Sequence, residues 1–231
     1  METRIDTSAL FMMDLLHDIT AGRAAPAAFQ RPFVWTREDV EAMWTSIIRG
    51  YPLGAFLLWR PLDGGAHGRQ TLGPIPLATD RRSALILDGQ NRLVTIAWSM
   101  TDPNEDILAD APGRDVFLGD DGLRLMLDPE TRLARFIHPD DAHRLAMPIH
   151  MLFGRISAFQ REAWRNDGDD EIMEWIDKVG YRLREARIVK TTIENATPEE
   201  AKEAFLHISR AGVPMSQADF ETALAYGAHA S

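Results

Sequence analysis

Two short apolar runs closed by turn residues constrain the fold most. Ala55-Phe-Leu-Leu-Trp59 lies between Gly54 and Pro61, and Ser83-Ala-Leu-Ile-Leu87 ends at Asp88-Gly89. Runs this short and this continuously apolar fit strands buried on both faces. They are separated by segments of helical period, so the chain reads as α+β with a small mixed sheet. Residues 36–49 give the clearest helix. Thr36-Arg-Glu-Asp39 is a capping box, and Val40, Met43, Trp44, Ile47 and Ile48 form an apolar stripe ending at Gly50.

The remaining segments obey the same rules. Residues 9–19 repeat apolar groups at helical spacing before Gly22, which predicts a helix from Ala9. Residues 61–80 read as a loop. Residues 115–118 and 123–127 flank Gly119-Asp-Asp-Gly122 as a predicted hairpin, and a further strand is expected over 132–137 after Asp128-Pro129. Helices are predicted over 159–164 and 172–183, and the β-branched residues 187–193 predict a strand. Thr197-Pro-Glu-Glu200 opens a helix through Ile208, and Ser216-Gln-Ala-Asp219 caps a last one to about Tyr226. The sequence therefore predicts one domain over 1–231, with a motif-bearing half (1–100) and an acidic half (101–231) of hairpin and helical character.

Composition narrows the chemistry. The 231 residues contain no Cys, so disulfides, thiolate metal sites and Cys nucleophiles are excluded. The formal charge is −10, and residues 1–100 balance ten Arg against ten acidic groups, so the rest carries the whole excess. A polyanion is expected to meet the N-terminal part. The N-terminus lacks the basic-then-apolar layout of a signal peptide and no apolar run spans a bilayer, which predicts a cytoplasmic protein without a membrane partner.

Chemistry concentrates in Leu85-Ile-Leu-Asp-Gly-Gln-Asn-Arg-Leu93. A strand delivers Asp88 at its carboxyl end, Gly89 permits a tight turn, and the following helix N-terminus offers free amides to an anion. Arg92 could add a fork of donors to phosphate, and Asp88 could hold Mg²⁺ or a water. On spacing alone a second reading stands beside this one: a strand-ending turn with Arg92 as a surface helix residue. Phe29-Gln-Arg-Pro-Phe-Val-Trp35 forms an extended strip in which Gln30 and Arg31 face opposite ways and Trp35 plugs the core. His138, His143 and His150 are the one loose histidine group, and their spacing reads as scattered loop residues, while His207 reads as partly buried on its helix. Asp167-Gly-Asp-Asp-Glu171 reads as a solvated helix start.

In order and spacing, Phe29 to Trp35, Ser46-Ile-Ile-Arg-Gly-Tyr-Pro-Leu-Gly54, Asp88-Gly-Gln-Asn-Arg-Leu93 and Phe205-Leu-His-Ile-Ser-Arg-Ala-Gly-Val-Pro-Met-Ser216 with Asp219 resemble the N-terminal domain of GmrSD-type restriction endonucleases. The resemblance implies a ParB/sulfiredoxin-like fold in the N-terminal half and an NTP bound with Mg²⁺. It implies a sensor of modified phage DNA that acts with an HNH-type nuclease domain or subunit. The family's Asp-Gly-Gln-Gln-Arg signature carries over to Asp88 and Gln90 as catalytic groups, with Asp88 as metal ligand. Gln30, Arg31, Gly89, Asn91 and Arg92 would bind nucleotide or phosphate. Asn91 stands where the family has a second Gln, and Ser209 where it has Asn, which separates binding from hydrolysis. A catalytically silent DNA- or protein-interaction module of the same fold is the alternative, and a stand-alone ParB-like nuclease is a third.

Overall fold

The computed structural model describes residues 3–28, 32–61, 68–78, 83–154 and 169–210, the last five without their side chains. In chain order the strands and helices are β1 (Arg4–Phe11), α1 (Met12–Thr20), β2 (Ala24–Pro26), α2 (Arg37–Arg49), β3 (Ala55–Arg60), β4 (Thr71–Leu72), β5 (Ile75–Pro76), β6 (Ala84–Asp88), α3 (Gln90–Met100), α4 (Arg114–Phe117), β7 (Arg124–Asp128), β8 (Leu133–Ile137), β9 (Met147–Pro148), α5 (Asp170–Glu185), β10 (Arg187–Glu194) and α6 (Pro198–Arg210). The predicted helix at 159–164, the Ser216 cap with its helix, Gln30, Arg31 and the side chains of His207 and Ser209 lie outside the described residues.

Five strands form a mixed sheet in the order β1-β10-β3-β6-β2. The two apolar runs are its interior: Phe56, Leu57, Leu58 and Trp59 of β3 and Ala84 to Leu87 of β6 are all buried. Continuous rather than alternating hydrophobicity is what burial of both faces demands. β1 lies at an edge, antiparallel to β10, with Arg4 and Asp6 exposed. α2 and α3 meet through Trp44, whose body is fully buried while its Nε1 donates to Ser99 Oγ at 3.0 Å. A buried indole keeps its polar atom satisfied this way. The Thr36 capping box and the left-handed Gly50 cap bound α2 as predicted.

A second sheet, β8-β7-β9, packs with the same apolar cluster. Residues 101–196 contribute four strands: β7, β8 and β10 fall where strands were expected over 123–127, 132–137 and 187–193, and β9 is an addition. The predicted hairpin is displaced by one element. Residues 114–117 are a short helix, and Gly119 to Gly122 is held instead by Arg37, which donates Nη1 and Nη2 to the two Asp121 oxygens at 2.5 and 2.9 Å and Nε to the Val116 carbonyl. The hairpin is β7–β8, closed where Asp128 accepts from Glu130 and Thr131 and where Arg132 takes φ +56°. The helix predicted from Ala9 begins at Met12, because Ala9 to Phe11 are paired with β10. Pairing along a sheet edge overrides the helical period of three residues.

The Arg37–Asp121 pair makes stability depend on acid. Hydrogen bonding from Arg37 holds the Asp121 carboxyl below its ordinary value. A depressed folded-state value stabilises above the unfolded carboxyl range, and that stabilisation disappears as pH falls through the lowered value. Asp121→Asn should therefore lower stability at neutral pH, with the gap from the parent closing on acidification. Urea midpoints measured at neutral pH and near pH 3 check this, and a gap that persists unchanged in acid refutes it.

The chain divides into two compact units, residues 1–196 and 197–231. In the second, α6 opens on a reciprocal cap: Glu200 Oε2 accepts from the Thr197 amide at 2.8 Å, and Thr197 Oγ1 accepts from the Glu200 amide. This is the start expected from Thr197-Pro-Glu-Glu200.

Candidate functional site at the Asp88 turn

The site is built at one end of the larger sheet. β3 runs antiparallel to β6, so β3 enters the sheet where β6 leaves it. Their register slips between Leu57, opposite Asp88, and Leu58, opposite Ile86. The slip inserts Leu87 as one extra residue, a bulge that redirects the end of the strand. Leu87 is fully buried, and the Asp88 side chain is 55% exposed at the strand end.

Gly89 then turns the chain into α3. Its φ is +96°, and a Cβ there would lie 2.2 Å from Cδ1 of the buried Phe56 ring. Conformation and space both exclude a side chain. No side chain caps the helix, and its first turn holds no acidic group. With no side-chain cap and no acidic group over it, the N-terminus of α3 can receive an external acceptor at the Asn91 and Arg92 amides. Gln90 is only 6% exposed, so its side chain is withdrawn from solvent, whereas Asn91 is half-buried.

Arg92 is placed differently from expectation. Its fork folds back onto the start of β3: Nη1 donates to the Leu53 carbonyl at 2.5 Å and Nη2 to that of Ala55 at 2.7 Å. The guanidinium carbon lies 4.3 Å over the Phe56 ring, and Nη2 is 3.5 Å from Asp88 Oδ2. The side chain is 19% exposed rather than displayed on the helix surface. Burial pulls its proton affinity down and the Asp88 charge opposes that shift, so the group stays cationic. Gly54 makes room for it: φ is +80°, and a Cβ there would meet Arg92 Nη1 at 2.6 Å. Arg92 thus locks the Ser46 to Gly54 segment to the Asp88 turn. Sequence reasoning found both segments and missed the lock, because Gly54 and Arg92 are distant in sequence and nothing local to either announces the contact.

β2 runs parallel to β6 and leaves the sheet at the same end, with the Ala27 amide on the Ile86 carbonyl at 3.1 Å. Gln30 and Arg31 come next in sequence, outside the described residues. Trp35 is half-buried against the core, short of the full burial expected. The histidines take local roles. His138 and His143 accept the Asp140 and Leu145 amides through Nδ1, and His150 Nε2 lies 3.7 Å from Asp102 Oδ2. Asp169 caps α5 by accepting from the Glu171 and Ile172 amides, as expected of a helix start. Among the described residues no helix is long and apolar enough to cross a membrane.

Comparison with known proteins agrees with this frame. Over 112 residues the chain is 36% identical to "Uncharacterized protein MJ0686" of Methanocaldococcus jannaschii, a stretch of 45% of this chain and 19% of that protein. The chain thus spans well under two thirds of that relative. Residues 13–225 match the description "GmrSD restriction endonuclease, N-terminal domain". That span includes the bulged strand, the Gly89 turn and the segment that Arg92 locks to it, and on this match the chain belongs to the GmrSD restriction endonuclease N-terminal domain family.

Proposed function

We propose that this chain is the nucleotide-binding regulatory module of a modification-dependent restriction system, of ParB/sulfiredoxin-like ancestry, acting on DNA through an HNH-type nuclease domain or subunit. The observation that carries the reading is the exposed Asp88 carboxylate beside the uncapped N-terminus of α3. A carboxylate and a phosphate repel each other unless a cation lies between them. Among the described residues no group of three metal-ligating side chains exists. One carboxylate is nevertheless enough for Mg²⁺ when the nucleotide phosphates and waters complete its shell. Asp88 would hold that ion, which supplies charge neutralisation at the phosphates.

The other residues divide by position. The turn at Gly89 and the Asn91 amide would meet the phosphates. Gln30 and Arg31, from the Phe-Gln-Arg strip, would add donors to the nucleotide. Gln90 supports the turn from inside, and Arg92 positions it by holding β3. Asn91 carries an amide one methylene shorter than the family's Gln, so Asn91→Gln should raise phosphate release with little change in affinity. Unchanged release with intact binding would show that position 91 does not limit turnover.

The decisive experiment is calorimetric titration with NTP, with and without Mg²⁺. The parent should bind at least tenfold more tightly with Mg²⁺, and Asp88→Asn should abolish that difference. Affinity indifferent to Mg²⁺ in the parent refutes the reading. The second reading, a silent interaction module, is favoured by one observation: the Arg92 donors already face the Leu53 and Ala55 carbonyls. NTP bound with Mg²⁺ but never hydrolysed, even in Asn91→Gln, would select it.

A further inference from the structure

The direction of every backbone group on the edge strand β1 follows from two hydrogen bonds. The Met12 amide donates to the Ala186 carbonyl at 2.8 Å, and the Val189 amide to the Gly54 carbonyl at 3.4 Å. The first turns Met12 toward the β10 side. The second turns Val189 toward β3, which leaves Ile188, Lys190 and Thr192 to face β1. Successive residues of a strand point their N–H and C=O to opposite sides, so both bonds give the same alternation. Arg4, Asp6, Ser8 and Leu10 turn theirs to β10. Ile5, Thr7 and Ala9 turn theirs away from the sheet, where no strand of the described residues pairs with them.

Exposed edges are ordinarily blunted by Pro, Lys or a bulge. β1 has none of these: its eight residues pair with β10 without a slip in register. Ile5, at 64%, is the most exposed large hydrophobic side chain among the described residues. Its two neighbours carry opposite charges on the other face of the strand. Arg4 and Asp6 are both exposed, and neither pairs with an opposite charge among the described residues.

We propose that β1 pairs with β1 of a second copy of this chain, antiparallel and centred on Ile5, so that two five-stranded sheets join into one. In this register Ile5 lies opposite Ile5, and Arg4 lies opposite Asp6 of the other copy on both sides of the centre. Ile5, with a Thr3–Thr7 pair on either side, exchanges about six backbone hydrogen bonds. Arg4 and Asp6 fall at non-hydrogen-bonded positions, where opposed side chains approach most closely. Charge selects this register over its neighbours. A centre at Arg4 or at Asp6 sets like charges opposite each other, and a centre at Thr7 sets Arg4 against Leu10 and Asp6 against Ser8. Parallel alignment in register stacks Arg4 on Arg4 and Asp6 on Asp6. The complementarity of Arg4-Ile5-Asp6 to itself is what identifies the occupant as a second copy. The overlap runs only from Thr3 to Thr7, so association is reversible and concentration-dependent. Three strands separate it from the end of β6, and it does not rest on the nucleotide reading.

Sedimentation equilibrium of the whole chain without nucleotide, over a series of concentrations, tests the pairing. The parent should pass from monomer to dimer. Arg4→Asp and Asp6→Arg, which set like charges face to face, should each weaken association tenfold or more. The double variant should recover it, because the opposite charges face each other again in exchanged places. Thr7→Pro removes an outward amide that β10 does not use, and should leave a monomer. Thermal unfolding verifies that it is folded; Ile5→Lys, a change in a side chain already exposed, serves if it is not. Register is read from Cys, which the chain lacks. Copies bearing Arg4→Cys, mixed with copies bearing Asp6→Cys, should oxidise to a disulfide between the two kinds far faster than either kind alone. A chain that stays monomeric throughout overturns the proposal. So does a dimer unmoved by these variants, a double charge exchange that restores nothing, or equal cross-linking in mixed and unmixed samples.

Discussion

Gly89→Ala should be the most damaging single methyl group that can be added at the site. Two independent costs meet there. At φ +96° an L-residue is strained by about 1–2 kcal/mol. The new Cβ would also lie 2.2 Å from Phe56 Cδ1 and 2.5 Å from its Cε1, a ring with no exposed surface and nowhere to swing. Forcing atoms into a packed core adds about 1–3 kcal/mol. The combined loss is about 2–5 kcal/mol, or roughly 4–20 °C in a chain of this size. Phe56→Leu should itself destabilise, yet Gly89→Ala should cost less in that background than in the parent. This non-additivity identifies the ring as the obstacle. Equal costs in both backgrounds, read from urea unfolding, would show that backbone strain alone accounts for the effect.

The same residues show what was legible in the sequence. The interior strands were readable because burial on both faces leaves an unbroken apolar run, and Ala55 to Trp59 and Ala84 to Leu87 have one. α2 was readable because its cap, stripe and terminal Gly50 are all local. The features that escaped depend on partners distant in sequence. Ala9 to Phe11 carry a helical period, but pairing with Arg187 to Val189 makes them strand. The Gly119 to Gly122 turn looks like a hairpin until Arg37, 84 residues away, grips Asp121. The extra residue at Leu87 is invisible to a period-two reading, although it determines that Asp88 emerges exposed. In the site, Asp88 and Gly89 could be read as a strand end and a turn. The direction of Arg92 could not, because a solvated fork and one folded onto a neighbouring strand have the same local sequence.

That direction gives the second large expectation. If Arg92 served mainly to meet phosphate, its removal would affect ligand affinity and leave folding alone. The observed geometry requires the reverse order of effects. Arg92→Met should leave the Leu53 and Ala55 carbonyls without the cation that bridges them, a loss of about 1.5–3 kcal/mol for each charged hydrogen bond before relaxation and hydration. The apolar Met would retain part of the contact with Phe56 but not the cation–π attraction, worth about 1–2 kcal/mol at a partly desolvated site. A net destabilisation of about 2–4 kcal/mol is expected, with the melting temperature lowered by about 4–16 °C. Arg92→Lys should recover little, because one ammonium on a flexible stem cannot reproduce a planar fork spanning two carbonyls. NTP affinity should then fall only as far as the turn loosens. The comparison is between the loss of stability without ligand and the loss of affinity for Mg²⁺-NTP under conditions where every variant is folded. A parental melting temperature in Arg92→Met, with affinity reduced tenfold or more, would return Arg92 to the phosphate and remove it from the lock between α3 and β3.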